Sequence, residues 1–158
     1  MSGERFDALL VVAFGGPQAP DEIRPFLEHV LRGRPVPASR IDAVAEHYQL
    51  IGGRSPLVEL TEKQRVALEA QLVSRGVTLP IELGMWHSRP FLLDALRKLH
   101  AQGKRRVLAV VMAAFHDRST MARYEGAVAE ALRELHETHD AHDSHDARLE
   151  LSFLQAEL

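Results

Sequence analysis

Apolar positions along this chain follow two alternating rhythms: short unbroken apolar runs, then stretches in which apolar residues recur three or four apart. "ALLVVAF" (8–14) is continuous and is closed by Gly15, Gly16 and Pro17, as expected of a strand buried on both faces and ended by a turn. Ile23, Phe26, Leu27, Val30 and Leu31 then fall on one face of a helix, with Asp21 and Glu22 at its positive end and Gly33 placed to close the other. Pro25 lies within about the first turn, where its missing N–H costs little. "PIELGM" (80–85), "RVLAVVMAAF" (106–115) and "RLELSFL" (148–154) read as further strands. Leu92, Ala95, Leu96 and Leu99 make a helical stripe ending at Gly103, and Tyr124, Val128, Ala131, Leu132 and Leu135 make another. Strands alternating with helices of this size predict parallel β-α-β units, hence an α/β three-layer sandwich around a four-stranded parallel sheet, in one domain spanning residues 1–158.

One segment breaks the alternation. Residues 35–57, between the first helix and the helix carrying Val66, Leu68 and Leu72, are too many and too apolar for a plain connection. The spacing predicts a separate helix over 39–50, with Ser39 as its cap, Ile41, Val44, Ala45 and Tyr48 as its apolar side, and a turn at Gly52-Gly53. Ligands of parallel α/β sheets bind outside the carboxyl ends of the strands, so this excursion is expected to fold over that edge as a lid.

Composition narrows the picture. The chain has 158 residues, 46% hydrophobic and 26% charged, with a net charge of −3, which suits one sizeable core and argues against a basic nucleic-acid binder. It has no cysteine, so disulfides and thiolate metal sites are excluded. The apolar run near the start is too short to span a membrane and lacks the basic start of a signal peptide, so a cytoplasmic location is expected. Near the other end His136, His139, His142 and His145 recur every third residue, interleaved with Asp140, Asp143 and Asp146. Imidazoles and carboxylates can ligate a divalent ion, but Asp, Ser and His are poor mid-helix residues, and the preferred reading of 136–146 is a solvated connecting loop. His29, His47, His100 and His136 fall on helices and require no function.

"LLVVAFGGP", "DEIRPFLEHVLRGR", "VAEHYQLIGGRSPL", "GMWHSRPFLLDAL" and "RVLAVVMAAFHDRSTMARYEGAVAEA", in this order and spacing, resemble the amino-terminal half of the ferrochelatases, which insert ferrous iron into a porphyrin. The similarity spans about residues 6 to 137 and is greatest to the bacterial branch whose substrate is coproporphyrin. The resemblance implies a protein of haem biosynthesis with porphyrin or haem as partner, iron and porphyrin as substrates, and no tightly bound cofactor.

Carried over position by position, the resemblance implies a porphyrin site of Phe14, Arg32, Arg34, Tyr48, Ser55, Trp86, His87, Ser119, Thr120 and Tyr124. Phe14 stands where many members have a tyrosine able to approach iron, so that contact is lost. Arg32 and Arg34 suit carboxylates, which guanidinium groups clamp in bidentate fashion, though they equally suit the negative end of a helix. Tyr48 either meets porphyrin or anchors the lid helix, and Ser55 either meets porphyrin or makes the turn before Pro56. Ser119 and Thr120 either reach the ligand or cap the helix that they open. Trp86 can pack on a flat macrocycle, and His87, like His116, follows a strand at the edge where a site belongs. The resemblance implies that the histidine and glutamate used in metal insertion belong to a second domain, which this sequence is expected to lack. Three readings follow: half of a split or truncated chelatase, a porphyrin- or haem-binding module without chemistry, or a small homodimeric chelatase. The third expects histidine at the end of the first strand, where Phe14 stands. A cleft lined by Phe14, Trp86, Phe115, Leu50, Ile51 and Leu57 without its second wall is expected to drive self-association or to await a missing half.

Overall fold

The structure, a computed structural model, describes residues 6–114, 117–139 and 148–154. Phe115, His116 and residues 140–147 of the His-Asp tract lie outside the described residues. The strands are β1 (Ala8–Ala13), β2 (Ile81–Met85), β3 (Arg106–Val111) and β4 (Glu150–Phe153), and they form one four-stranded sheet in the order β2-β1-β3-β4. Every pairing is parallel, with Leu9 opposite Ile81 on one side and Leu108 on the other, and Ala109 opposite Phe153. A parallel sheet is covered on both faces, and the strand at its centre, β1, is buried at all six positions, which is why its sequence shows no alternation.

The described residues form five α-helices: α1 (Ile23–Val30), α2 (Ala38–Leu50), α3 (Leu57–Ser74), α4 (Leu92–Ala101) and α5 (Arg118–His139), with a 3-10 turn at Pro20–Glu22 leading into α1; α3, α4 and α5 pack on the sheet, while α1 and α2 pack on each other beside it. One face presents Ala8, Leu10, Val12, Val107 and Ala109 to α4 and α5, where Leu96, Leu99 and Leu135 are fully buried. Each such leucine contributes roughly 1.5–3 kcal/mol relative to exposure. α4 sits directly on β2, because Gly84 leaves room: a Cβ there would lie 3.1 Å from the Cα of Leu92. The opposite face, Leu9, Val11, Ala13, Ile81 and Leu83, packs against Leu68 and Leu72 of α3. Val66, expected to belong to the same helix, is half exposed on its outer side.

The excursion differs in detail from its expected form. α2 begins at Ala38, and its first turn is opened by the carbonyl of Pro37, which accepts from the N–H of Arg40 at 3.0 Å; no side chain caps it, so Ser39 is an ordinary first-turn residue. α2 stacks on α1 through an edge-on Phe26–Tyr48 contact with ring centroids 6.2 Å apart and through the Arg24–Asp42 ion pair. It buries none of its residues fully, and Leu50 at its end is 83% exposed. Near the other end of the chain, α5 runs through His136 to His139 before the described segment stops, so the first part of the tract expected to be a loop is helical. Arg133 pairs with Glu137 at 3.0 Å there, and Thr138 Oγ1 donates to the carbonyls of Glu134 and Leu135, satisfying groups in the last turn.

Candidate functional site

Three loops meet at the carboxyl edge of the sheet. After β1 the chain turns at Gly15, whose φ of 91° belongs to the left-handed region that glycine adopts freely. The N–H of Gly16 donates to Ser88 Oγ at 3.0 Å, joining the β1 loop to the loop after β2. The N–H of Ser55 donates to the carbonyl of Pro17 at 2.7 Å, joining the end of the excursion to the same turn. Gly16 has no room for a side chain, since a Cβ there would lie 2.5 Å from that of Ser55. The strand ladder also continues past the strands: the N–H of Trp86 donates to Ala13 O at 2.9 Å and that of His87 to Phe14 O at 3.0 Å. Phe14, Trp86 and His87 are thereby fixed side by side on paired backbone.

Their rings form a continuous cluster. His87 stacks on Trp86 with centroids 4.4 Å apart and an interplanar angle of 22°, and lies 4.5 Å from the Phe14 ring. Trp86 in turn meets Phe14 at 6.1 Å and Tyr124 at 5.5 Å. His29, reaching in from α1, lies edge-on to His87 at 5.3 Å. Burial first, then the positive charges of His29, Arg123 and Arg34, pulls the His87 pKa down to about 4, so its imidazole is neutral at physiological pH. Its Nδ1 is buried with no hydrogen-bond partner among the described residues.

Cations lie at the edge of this cluster. One cavity of about 660 Å³ is bordered by Arg32, Arg34, His29, Trp86 and His87 and also by the carboxylates Asp94, Glu130 and Glu134, and a smaller one of about 130 Å³ by Phe14, Arg34, Trp86, His87 and Arg123 without an acidic residue. Among the described residues, Arg32, Arg34 and Arg123 have no acidic partner within ion-pair distance. The groove of about 670 Å³ along the β2 edge is different, because its arginine, Arg65, is already held by Glu62, Glu69 and the carbonyl of Ile81. Arg32 Nη2 lies 3.4 Å from His29 Nδ1, and an aromatic platform with guanidinium groups free of acidic partners at its rim suits a flat, apolar ligand with acidic edges.

The remaining expected residues are placed as follows. Tyr48 is half-buried against Phe26, and burial raises its hydroxyl pKa, as it does for Tyr124, which is buried in the α5 stripe with its ring against Trp86. Ser55 Oγ accepts from the N–H of Leu57 at 3.2 Å, opening α3, while its Cβ packs on Gly16. Ser119 and Thr120 are not the cap of α5. Asp117 is: one of its carboxylate oxygens accepts from both backbone N–H groups, and each hydroxyl donates to the same carboxylate at 2.6 Å. These bonds hold the Asp117 pKa well below the usual carboxylate range. Three neighbours of the cluster were not anticipated: His29, Ser88 and Arg123. His29 and Ser88 carry no local signal, and only the spacing of Arg123 next to Tyr124 at the start of a helix facing the strand ends hinted at its position. Among the described residues no three His, Cys, Asp or Glu side chains are grouped to hold a metal ion, and no helix is long and apolar enough to cross a membrane.

An open parallel α/β sheet with a cluster of aromatic and cationic residues outside its strand carboxyl ends defines a broad class of α/β binding proteins and enzymes. Within that class a family model, Ferrochelatase, matches residues 6–146, and the chain belongs to the ferrochelatase family. It is 40% identical over 129 residues to the coproporphyrin III ferrochelatase of Leifsonia xyli subsp. xyli, covering 82% of this chain and 33% of that protein. To the coproporphyrin III ferrochelatase of Mycolicibacterium smegmatis it is 40% identical over 124 residues, covering 78% of this chain and 36% of the relative. A ferrochelatase of Rhodopirellula baltica is 39% identical over 130 residues, 82% of this chain and 37% of its own length. The chain thus spans about a third of the length of the curated relatives it matches.

Proposed function

We propose that this chain supplies one wall of a chelatase cleft and binds a carboxylate-bearing porphyrin of the coproporphyrin type there, without carrying out metal insertion by itself. The observation that supports this most is the aromatic cluster of Phe14, Trp86 and Tyr124 bordered by three arginines without acidic partners. In this reading the rings lie against the macrocycle, and Arg32, Arg34 and Arg123 hold its acidic substituents. Iron enters as substrate. Its insertion requires two protons to leave the pyrrole nitrogens, a step for which a base with a pKa near the working pH is best suited. His87, at about 4, is a weak base, and Phe14 offers no atom to a metal. In this reading the proton acceptor and metal ligand come from polypeptide beyond the matched third.

Trp86 is the sole tryptophan and lies within the cluster, so its fluorescence reports occupancy. Titration with coproporphyrin III is expected to quench it saturably at one porphyrin per chain. Replacing Arg123 with Ala should weaken binding about three- to tenfold, the loss of ~1 kcal/mol expected when one largely exposed charge-assisted contact goes. Arg40→Ala, at an exposed arginine on α2, should leave it unchanged. Equal affinities for the Arg123 and Arg40 variants would refute the proposed role of the arginine rim.

A further inference from the structure

Beside the aromatic platform lies a cavity that the porphyrin reading does not use. Its volume of about 340 Å³ is near the small end of the ~300–1,000 Å³ that ligand pockets span, so it suits a molecule much smaller than a porphyrin. The 3-10 turn and α1 border it on one side and the loop after β2 on the other. Its apolar wall has a clear origin in the sequence. Phe26 belongs to the buried stripe of α1. Phe91 is held by backbone, because the N–H of Met85 donates to Pro90 O at 2.7 Å and Met85 pairs with Phe91 in an isolated bridge that lays the loop along β2. The ring of His29 joins this wall to the platform, with its centroid 6.4 Å from that of Phe91 and 5.3 Å from that of His87.

The charged groups of the cavity carry opposite signs and do not neutralise one another. Asp21 and Glu22 stand on the side of the turn and Arg89 on the side of the loop. Gln18 ties the two sides together: its backbone N–H donates to Glu22 Oε2 at 2.8 Å and its Nε2 to the carbonyl of Arg89 at 3.2 Å. Glu22 thus has a structural task, and its position in a first helical turn accounts for its charge. Asp21 and Arg89 take part in no ion pair among the described residues. The Arg89 guanidinium lies over the Phe91 ring, 5.8 Å from its centroid, which puts a cation directly at the edge of the apolar wall.

We infer that this cavity binds a zwitterionic α-amino acid with an apolar side chain. Asp21 takes the ammonium group, Arg89 takes the carboxylate, which a guanidinium group holds well, and the side chain enters between Phe26 and Phe91. The two unpaired charges select for a ligand that carries both. A simple amine satisfies Asp21 but meets Arg89 as a like charge, and a simple carboxylate has the same conflict with Asp21. The inference does not depend on the porphyrin reading, which the Trp86 titration tests by itself.

Isothermal titration calorimetry on the full chain tests this with L-phenylalanine as the probe. Three comparators each lack one part of it: phenethylamine the carboxylate, 3-phenylpropionate the ammonium group, and glycine the side chain. L-phenylalanine is expected to bind at one site per chain with a Kd of ~0.1–1 mM, and each comparator about tenfold or more weakly. Asp21→Asn and Arg89→Gln, both at exposed residues, should each weaken L-phenylalanine binding about three- to tenfold, and Arg40→Ala should not. Three results would each overturn the inference: no binding of L-phenylalanine up to ~10 mM, a comparator that binds as tightly as the amino acid, or the parent affinity retained in both the Asp21 and Arg89 variants.

Discussion

His87 shows how much of the site is made by tertiary arrangement. A histidine after a strand ordinarily titrates near 6.5; here burial beside Trp86 and Phe14, with His29, Arg34 and Arg123 facing it, lowers the value to about 4. Between those two values the unfolded chain binds the proton and the folded chain does not. This residue's contribution to stability is therefore present in full above about pH 6.5 and is lost as pH falls through about 4. The thermal midpoint of the protein should fall further between pH 7 and pH 4.5 than that of His87→Gln, and identical pH profiles would contradict the assignment. That histidine and Trp86 were legible in "MWHSRP" as residues following a strand. His29 was not, because nothing in its helix distinguishes a surface histidine from one aimed across a turn at another ring. Arg123 was hidden by its neighbour Tyr124, whose place in the apolar stripe drew the reading toward the core.

At the scale of elements, the hydrophobic rhythm was enough to locate the strands and most of the helices, since burial on both faces makes β1 continuous and burial on one makes α4 strictly periodic. It failed at the first turns of two helices. α2 starts from the Pro37 carbonyl instead of a Ser39 cap, and α5 starts from Asp117, whose residue type was as readable as that of the two hydroxyl residues it binds. It also failed at the junction of three loops, where Gly16 is required by Ser55 rather than by a turn. Gly16→Ala should cost about 1–3 kcal/mol through overpacking, and a second change, Ser55→Gly, should recover a large part of it. Chemical denaturation of the two single variants and the double variant measures the coupling. Additive losses would show that the two residues do not share the space.

For the whole molecule, the chain belongs to the ferrochelatase family and spans about a third of its curated relatives' length. The wall described here holds rings and cations, and the histidine at the centre of its cluster is a weak base; removing a general base alone is worth roughly 10²–10⁴-fold in rate. The resemblance carried by "YQLIGGRSPL" and its neighbours implied that the residues that bind and the residues that react belong to different stretches of the family's sequence, and the proposed binding wall rests on that implication. The most direct measurement is an anaerobic absorbance experiment on the full chain, with coproporphyrin III added first and ferrous iron second, beside a full-length relative. The account predicts a shifted Soret band when porphyrin is added, then no conversion to the metallated spectrum on a timescale in which the relative reaches completion. Metallation at the relative's rate, or an absorbance spectrum that the protein leaves unchanged, would contradict it.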